Sequence, residues 1–381
     1  MASLTSEQRD LRDTARNMAE TVLRPGAAQI DTERSFPADN LKALAGAGLM
    51  GILVPTAFGG RGGTLTDLAL VCESLGWGCA STAMCFLMHS CGCAVIASKA
   101  TAGQGEEWLR PAARGETIAT LAFSERGSGA HFYSPEIRAE SHNGVFHLSG
   151  RKSFVTSGGH AQLYPILVNA SGAPGLDILV LTPDLKGVGF DGRWEGIGMA
   201  GNSSISMELT DVAVPSENLL GKEGEGQDMV FSVVAPTFLI GLAAVSVGIA
   251  QAALEGAVSH AKERTYPNGE RLAQVQVIQT YLAEMSSATE AARQLVLEAA
   301  RAADAGEEGA LPLVMEAKVV ATEASQKVTD LAMQVGGGQA YSRRLPLERH
   351  WRDSRAGPVM APTNEVLKEW LGKVLAGIPL P

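Results

Sequence analysis

The pattern of apolar and polar positions divides the chain into three zones. Residues 1–116 are rich in alanine and follow helical spacing, with breaks at prolines and glycines. In residues 117–226, short runs such as 145–148 and 205–209 alternate with period two, which is the pattern of strands with one buried face. Helical spacing returns in residues 227–381. The pattern therefore predicts a helical domain, a β-domain and a second helical domain.

The last zone contains several separate helical runs. Apolar residues recur at three-and-four spacing from 272 to 299 and again from 313 to 335, and each set lines one face of a long helix. An apolar segment at 238–264 and a short run at 364–375 complete the set. The predicted fold class is α+β and mostly α, with an N-terminal helical domain, a middle β-barrel-like domain and a C-terminal four-helix bundle.

Composition narrows the class of protein. The chain has 381 residues, of which 45% are apolar and 19% charged, so it is long enough for more than one domain-sized core. A net charge of −10 provides no basic stripe, and no nucleic-acid partner is expected. Met1–Arg16 carries charges of both signs without the apolar core of a signal peptide, which favours a cytoplasmic location.

Two features invite a membrane or a metal interpretation. Met229–Ala250 is long and uncharged enough for a membrane span, but it contains a proline and glycines and has no flanking cluster of basic residues. We expect a buried helix and no membrane insertion. The five cysteines all lie between Cys72 and Cys93, without a C-x-x-C pair or paired histidines. Buried thiols are therefore expected, and no metal site.

A nine-residue motif in the β-domain connects the chain to a known family. Lys152–His160 reads K-S-F-V-T-S-G-G-H and resembles the K-x-W-I-T-N-G-G-H motif of the acyl-CoA dehydrogenase family. The order of the three zones also resembles that family over nearly the whole chain. The resemblance implies that Phe154 lies beside the flavin ring and that Thr156 hydrogen-bonds the flavin near N5. A flat apolar face and a donor suit a ring that gains charge on reduction.

A second, partial match precedes this motif. Residues 122–131 read A-F-S-E-R-G-S-G-A-H, where the family has T-E-P-G-A-G-S-D. The resemblance implies flavin contacts from Phe123, Ser124 and the backbone at Gly129, because small residues let a backbone approach phosphates closely. Ala130 replaces the serine that binds phosphate in the family, so that side-chain contact is expected to be lost.

Further motifs in the bundle resemble the segments that complete a neighbouring subunit's flavin site. They imply FAD rather than FMN, because the adenosine side is retained, and they require a homo-oligomer. The uncharged Met229–Ala250 face suits the buried core of a tetramer. The residues assigned to the flavin on this resemblance are Arg264, Gln276, Gln334, Gly337, Gly338, Thr363 and Glu365.

The family's catalytic base is missing. Val359–Thr363 reads V-M-A-P-T where the family has an aliphatic residue followed by Tyr-Glu-Gly-Thr, and that glutamate removes the substrate α-proton. Ala361 occupies its place. Some members carry the glutamate on the first bundle helix, but the matching position here is Phe238, and Leu239 replaces the arginine usually beside it. Either the base is elsewhere or the flavin chemistry differs.

His89 is the candidate for an alternative acid or base. It belongs to the helix that, by the resemblance, lines the acyl end of the substrate pocket, and an imidazole titrates near pH 7. Flavin monooxygenases of the same superfamily place a histidine in that region. The other interpretation is a core histidine bonded to a backbone carbonyl.

The resemblance implies a FAD-dependent oxidoreductase that acts on an acyl thioester or a related small substrate. Its electron partner would be an electron-transfer flavoprotein or a flavin reductase. Two alternatives stay open: a flavin-dependent monooxygenase on the same fold, and a non-catalytic partner subunit that binds flavin or acyl thioester.

Overall fold

The computed structural model describes residues 4–172 and 174–380. The first domain is helical, and two of its helices begin with a reciprocal cap, Thr5 with Gln8 and Thr64 with Asp67. A π-helical turn at Ala19–Leu23 joins the first two helices into one continuous rod. The helices are α1 (Ser6–Met18), α2 (Arg24–Glu33), α3 (Ala38–Gly46), α4 (Leu65–Gly78), α5 (Ala80–Lys99), α6 (Ala102–Gln104) and α7 (Arg110–Ala113).

The middle domain consists of two antiparallel sheets around one apolar core. Its strands are β1 (Glu140–His142), β2 (Val145–Val155), β3 (Tyr164–Asn169), β4 (Leu176–Leu181), β5 (Val188–Asp191) and β6 (Ile205–Pro215). One sheet has the order β1-β2-β6-β5, and β3 pairs with β4 in the other. The alternating runs at 145–148 and 205–209 lie in β2 and β6, as their pattern predicts, because one face of each strand is buried.

The last domain is again helical. Its helices are α8 (Gly226–Met229), α9 (Ala235–Glu263), α10 (Gln276–Asp304), α11 (Ala310–Tyr341), α12 (Leu347–Ser354), α13 (Ala356–Val359) and α14 (Asn364–Leu375). The long helices α9, α10 and α11 pack against one another, and α14 packs on α11. The predicted order of a helical, a β and a helical domain is confirmed.

Two apolar helices satisfy the length and composition of a membrane span. They are α5 and the segment Gly226–Glu263, and 89% and 72% of their most apolar windows are buried inside the chain. The second segment packs against α4, α5 and α11 through α9. The apolar run suggested for a tetramer core is therefore largely covered within one chain.

One helix extends further than its sequence pattern predicts. The helical pattern at 313–335 predicts an end at residue 335, before a glycine run, but α11 continues to Tyr341. Gly337 interrupts it with φ 52° and ψ −137°, which is not a helical conformation. The glycine thus allows a sharp kink, after which the helix resumes, instead of a helix end.

Candidate functional site

Phe154 and Thr156 lie at the end of β2, where its pairing with β6 becomes irregular. Phe154 has a φ of +54°, a left-handed conformation that is costly for an aromatic residue, and it is 71% exposed. Its ring meets the edge of Trp194 at a centroid distance of 6.4 Å. Thr156 is buried, and its Oγ1 lies 2.9 Å from Ser204 Oγ. An open aromatic face therefore lies close to a buried hydroxyl, and strain of this kind is concentrated at functional sites.

The predicted flavin segment at Phe123 and Ser124 lies beside the one at Phe154. Ser153 N–H donates to Ser124 O over 2.8 Å, and Lys152 Nζ donates to Phe123 O over 3.3 Å. The structure therefore places the segment of Phe123 and Ser124 beside that of Phe154 and Thr156. Ala122, which precedes Phe123, also pairs with Ile166 of β3 in a parallel direction.

A buried ion pair anchors this arrangement. Lys152 Nζ donates to Glu125 Oε1 over 2.6 Å, and neither side chain is more than 2% exposed. Burial lowers the pKa of Lys152 to about 8, against the opposing attraction of Glu125. The same carboxylate accepts from the backbone N–H of Glu136 and Ile137 through Oε2, at 2.6 and 3.2 Å. Glu125 thus fixes both ends of the glycine-rich loop between it and residue 136.

Two glycines of that loop have different surroundings. A Cβ on Gly127 would lie 1.9 Å from Glu136 Oε1, the end of an exposed side chain that would have to move. Gly129 has a φ of +52° and open space around it. Because a backbone without a side chain faces this space, a ligand can approach it closely. This is the property that the sequence predicted for Gly129.

The loop of residues 197–204, which contains the Ser204 partner of Thr156, is held by residues of the other two domains. Asp353 Oδ1 accepts from Met199 N–H over 2.6 Å, and burial raises the pKa of Asp353 to about 6. Arg352 donates to Ile197 O over 2.9 Å and pairs with Asp31 at 2.6 Å. The position of the loop therefore depends on contacts between all three domains.

A groove in the bundle collects a second group of predicted residues. Arg264, Gln334, Gly337 and Gly338 all line it, together with His260 and Arg344. Its lining, among the residues that the structure describes, includes none from the middle domain. Gln276 lies at the exposed start of α10, between two lining residues. The predicted flavin residues thus form two separate groups within one chain, and a basic groove of this kind suits phosphate.

Ala361 lies in the connection between α13 and α14. Lys318, a buried lysine of α11, bonds to this connection. Its Nζ donates to Pro362 O over 3.0 Å, to Asn364 Oδ1 over 2.9 Å and to Met360 O over 3.4 Å. Burial lowers the pKa of Lys318 to about 7. Since its bonds reach both neighbours of Ala361, the lysine fixes the backbone on either side of this position.

Two further predicted contacts follow Ala361. Thr363 caps α14, because its side-chain oxygen accepts from Val366 N–H over 3.4 Å. Glu365 is exposed in the first turn of the same helix. Their contacts with flavin stay predictions.

The two positions that the resemblance assigns to the catalytic glutamate are apolar here. Leu239 is buried in the main core, and Phe238 and Ala361 are partly buried against that core. None of these three side chains can hold or move a proton. Any base must therefore come from another position.

His89 is buried in the core and both of its ring nitrogens have backbone partners. Nδ1 accepts from Ala119 N–H over 3.1 Å, so Nε2 carries the proton and donates to Met50 O over 3.0 Å. Burial lowers the pKa of His89 to about 4. This geometry is that of a core histidine, and it does not support the catalytic role considered for His89, because both ring nitrogens are bonded to backbone groups.

The cysteines of the N-terminal domain lie in its core. All five cysteines are buried, and burial raises the pKa of the thiols. Over residues 4–172 and 174–380, no three or more His, Cys, Asp or Glu side chains are grouped so as to hold a metal ion.

Sequence reasoning missed Ser204, Asn202 and Lys318. Lys318 had a detectable signal, since it is a lone cation among the apolar positions of α11 and is fully buried. Ser204 and Asn202 lie in a polar stretch that resembles an ordinary turn. Only the fold shows that Ser204 bonds to Thr156 and that Asn202 bonds to Ser204.

Comparisons with known proteins agree with this architecture. The acyl-CoA dehydrogenase N-terminal, middle and C-terminal domain models match residues 5–116, 120–212 and 240–376. Acryloyl-CoA reductase (NADH) of Anaerotignum propionicum is 33% identical over 96% of this chain and 93% of its own length. Cyclohex-1-ene-1-carbonyl-CoA dehydrogenase of Syntrophus aciditrophicus is 31% identical over 98% of this chain and 91% of its own.

A solved structure shows the same fold. Butyryl-CoA dehydrogenase of Megasphaera elsdenii superimposes with a TM-score of 0.93 at 28% identity, covering 99% of this chain and all of that one. The family models together span most of the sequence, and the relatives match it nearly end to end. The chain belongs to the acyl-CoA dehydrogenase family of FAD-dependent oxidoreductases.

Proposed function

We propose that this protein oxidises or reduces an acyl-CoA thioester, or a related small carbonyl substrate, at a FAD held against Phe154 and Thr156. The observation that carries the proposal is the exposed, left-handed Phe154 close to the buried Thr156 hydroxyl. Relatives named for acyl-CoA reduction and dehydrogenation support the substrate class. Bound FAD supplies an acceptor and donor for two electrons.

The residues present fit this cofactor. Phe154 offers an apolar face to the ring, Thr156 and Ser204 offer hydroxyls, and Gly129 leaves backbone open to phosphate. We assign Phe123 and Ser124 to the same half of the site, next to the ring.

We assign the bundle groove to the cofactor of a second copy of the chain. Arg264 would neutralise the pyrophosphate of that cofactor, with Gln334, Gly337 and Gly338 beside it. We place three further residues at the edge of this site between two chains: Gln276, Thr363 and Glu365. Because no described residue of the middle domain lines the groove, we infer that a second chain supplies the other half. Large apolar side chains exposed on the bundle, including Tyr341 at 86% and Leu375 at 85%, support an assembly, which we propose to be a homotetramer.

The proton chemistry is the part in which this chain departs from its family. With Ala361, Phe238 and Leu239 in the usual places, the chain holds no carboxylate to remove an α-proton there. We propose that the protein binds and orients the substrate against the ring, excludes water with this apolar wall, and takes its base from outside these positions. A cytoplasmic protein of this kind would exchange electrons with an electron-transfer flavoprotein or a flavin reductase.

A flavin monooxygenase is the second candidate, because the positions assigned to the catalytic glutamate are apolar. A reaction with oxygen needs no α-proton to be removed, so the loss of the carboxylate at both usual positions is compatible with it.

One set of measurements separates the candidates. Acid release of the cofactor followed by chromatography should give FAD; FMN, or no flavin after reconstitution, would exclude the proposal. Anaerobic loss of flavin absorbance with an acyl-CoA supports the thioester oxidoreductase. Oxygen consumption that requires a supply of reduced flavin supports the monooxygenase. Tight ligand binding with neither response identifies a binding subunit.

A further inference from the structure

A chain of buried hydrogen bonds lies behind Thr156. Thr156 Oγ1 is 2.9 Å from Ser204 Oγ, and Ser204 Oγ donates to Asn202 Oδ1 over 3.1 Å. All three side chains are buried, and Asn202 is completely so. The three polar groups therefore exchange hydrogen bonds with each other rather than with water.

The protons in this chain have a defined direction. Because Ser204 gives its only proton to Asn202, it must accept from Thr156, and the Thr156 proton is then used inside the protein. In this arrangement Asn202 Nδ2 is buried and has no acceptor among the described residues. A buried amide donor without a partner costs about 1–3 kcal/mol. Rotation of the amide would leave Oδ1 unpaired in its place, so both arrangements carry a cost of this kind and the two compete.

Rotation of the Asn202 amide by 180° reverses the chain. Nδ2 then donates to Ser204, Ser204 donates to Thr156, and the Thr156 proton becomes free to point away from the protein. The two arrangements differ in one respect outside the chain: Thr156 either accepts or donates a hydrogen bond.

We propose that Ser204 and Asn202 are positioning residues that decide whether Thr156 donates to or accepts from the bound flavin. This inference rests on the proposed placement of FAD at Thr156. An oxidised flavin offers a ring nitrogen that accepts, and the reduced flavin carries N–H at the same atom. A hydroxyl with a reversible partner can serve both forms, whereas a hydroxyl with a fixed partner serves one.

Backbone hydrogen bonds hold Thr156, Asn202 and Ser204 in place. Ser157 N–H donates to Asn202 O over 2.9 Å, and Gly158 N–H donates to Ser203 O over 3.0 Å. Ser157 and Ser203 have φ values of +60° and +49°, unfavourable conformations for residues with a side chain. Strain on both sides of one contact indicates that the contact itself is required.

The test uses the FAD-loaded protein and measures the midpoint potential and absorption spectrum of the flavin. Ser204→Ala should shift the equilibrium between oxidised and reduced flavin by about two- to tenfold, the range for one hydrogen bond. Ser204→Thr, which keeps the hydroxyl, should restore the wild-type potential. Ser90→Ala is the matched control, because Ser90 is equally buried but bonds only to Phe86 O. It should leave the flavin unchanged.

The comparison with Thr156→Ala separates the possible failures. If Thr156→Ala shifts the potential and Ser204→Ala does not, the positioning role is wrong while the flavin site stands. If neither variant shifts it, or if the wild type binds no FAD, both the role and the flavin site are wrong. Should Ser204→Ala fail to fold, Ser204→Cys keeps the volume with a poor hydrogen-bonding group and should give the same shift; an unchanged potential in Ser204→Cys overturns the proposal.

Discussion

Lys152 and Glu125 form an ion pair at 2.6 Å in the interior of the middle domain, with neither side chain more than 2% exposed. Lys152 follows Arg151 in β2, two residues before Phe154, and Glu125 directly follows Ser124. The pair therefore joins the two segments that we assign to the flavin ring. Its loss should affect cofactor binding and stability together.

Lys152→Met should lower the free energy of unfolding by about 3–5 kcal/mol, because it leaves the buried charge of Glu125 without its lysine partner, and only backbone N–H groups then donate to it. Chemical denaturation measures this, and FAD retained after gel filtration should fall in parallel. Lys186→Met, at an exposed lysine of the same domain, should change stability by less than about 0.5 kcal/mol. Equal effects of both substitutions would argue against an anchoring role for the pair.

His89 should make the protein sensitive to acid. Burial lowers its pKa from 6.5 to about 4, so the unfolded chain takes up a proton first as the pH falls. The contribution of His89 is complete above pH 6.5 and is lost as the pH falls towards 4, by up to roughly 3 kcal/mol. His89→Gln, which cannot take up this proton, should lose less stability than the wild type between pH 7 and 4.5 in urea denaturation. It should also keep FAD and activity; loss of activity with FAD bound would restore a catalytic role for His89.

Arg264→Ala should weaken FAD binding with little effect on the fold. Arg264 is an exposed side chain at the end of α9, so it makes few contacts within the chain. Loss of one charged contact to a pyrophosphate corresponds to about a 10- to 100-fold rise in Kd. The neighbouring Lys262→Ala provides the control and should bind FAD normally. A wild-type protein that is a monomer by light scattering yet holds FAD normally would contradict the shared site.

Ala361→Glu should restore little of a dehydrogenase reaction. A general base contributes roughly 10²–10⁴ in rate, but Pro362 fixes the backbone directly after this position. We expect anaerobic flavin reduction by acyl-CoA, followed by stopped flow, to rise by much less than that. Ala361→Gln controls for the added volume. A gain of the full size in the Glu variant alone would mean that the chain is an ordinary dehydrogenase lacking only its base.

The sequence predicted the domain order because that order depends on local patterns, such as the alternation that placed β2 and β6. The middle-domain half of the site could be proposed from the sequence because Phe154 and Thr156 belong to one short motif at the end of β2. The left-handed φ of Phe154 could not be predicted, since it results from irregular pairing between strands that are distant in sequence. Ser204, whose hydroxyl lies next to that of Thr156, was missed for the same reason.

The surroundings of His89 could not be predicted from the sequence. Its position on α5 fitted a pocket, but its partners, Met50 and Ala119, come from segments on either side of that helix in the sequence. Contacts of this kind arise from packing, and an imidazole in an apolar helix looks the same in the sequence whether it faces a ligand or two backbone groups.

The central claim is that an acyl thioester exchanges electrons with FAD in this protein. The most direct measurement is an anaerobic titration of the FAD-loaded protein with a panel of acyl-CoAs and their α,β-unsaturated counterparts, followed by the flavin absorption spectrum. We predict that at least one saturated acyl-CoA bleaches the oxidised flavin in stoichiometric amounts, or that its unsaturated counterpart reoxidises the chemically reduced protein. Spectra that stay unchanged across the whole panel in both directions, with FAD bound, would contradict the claim.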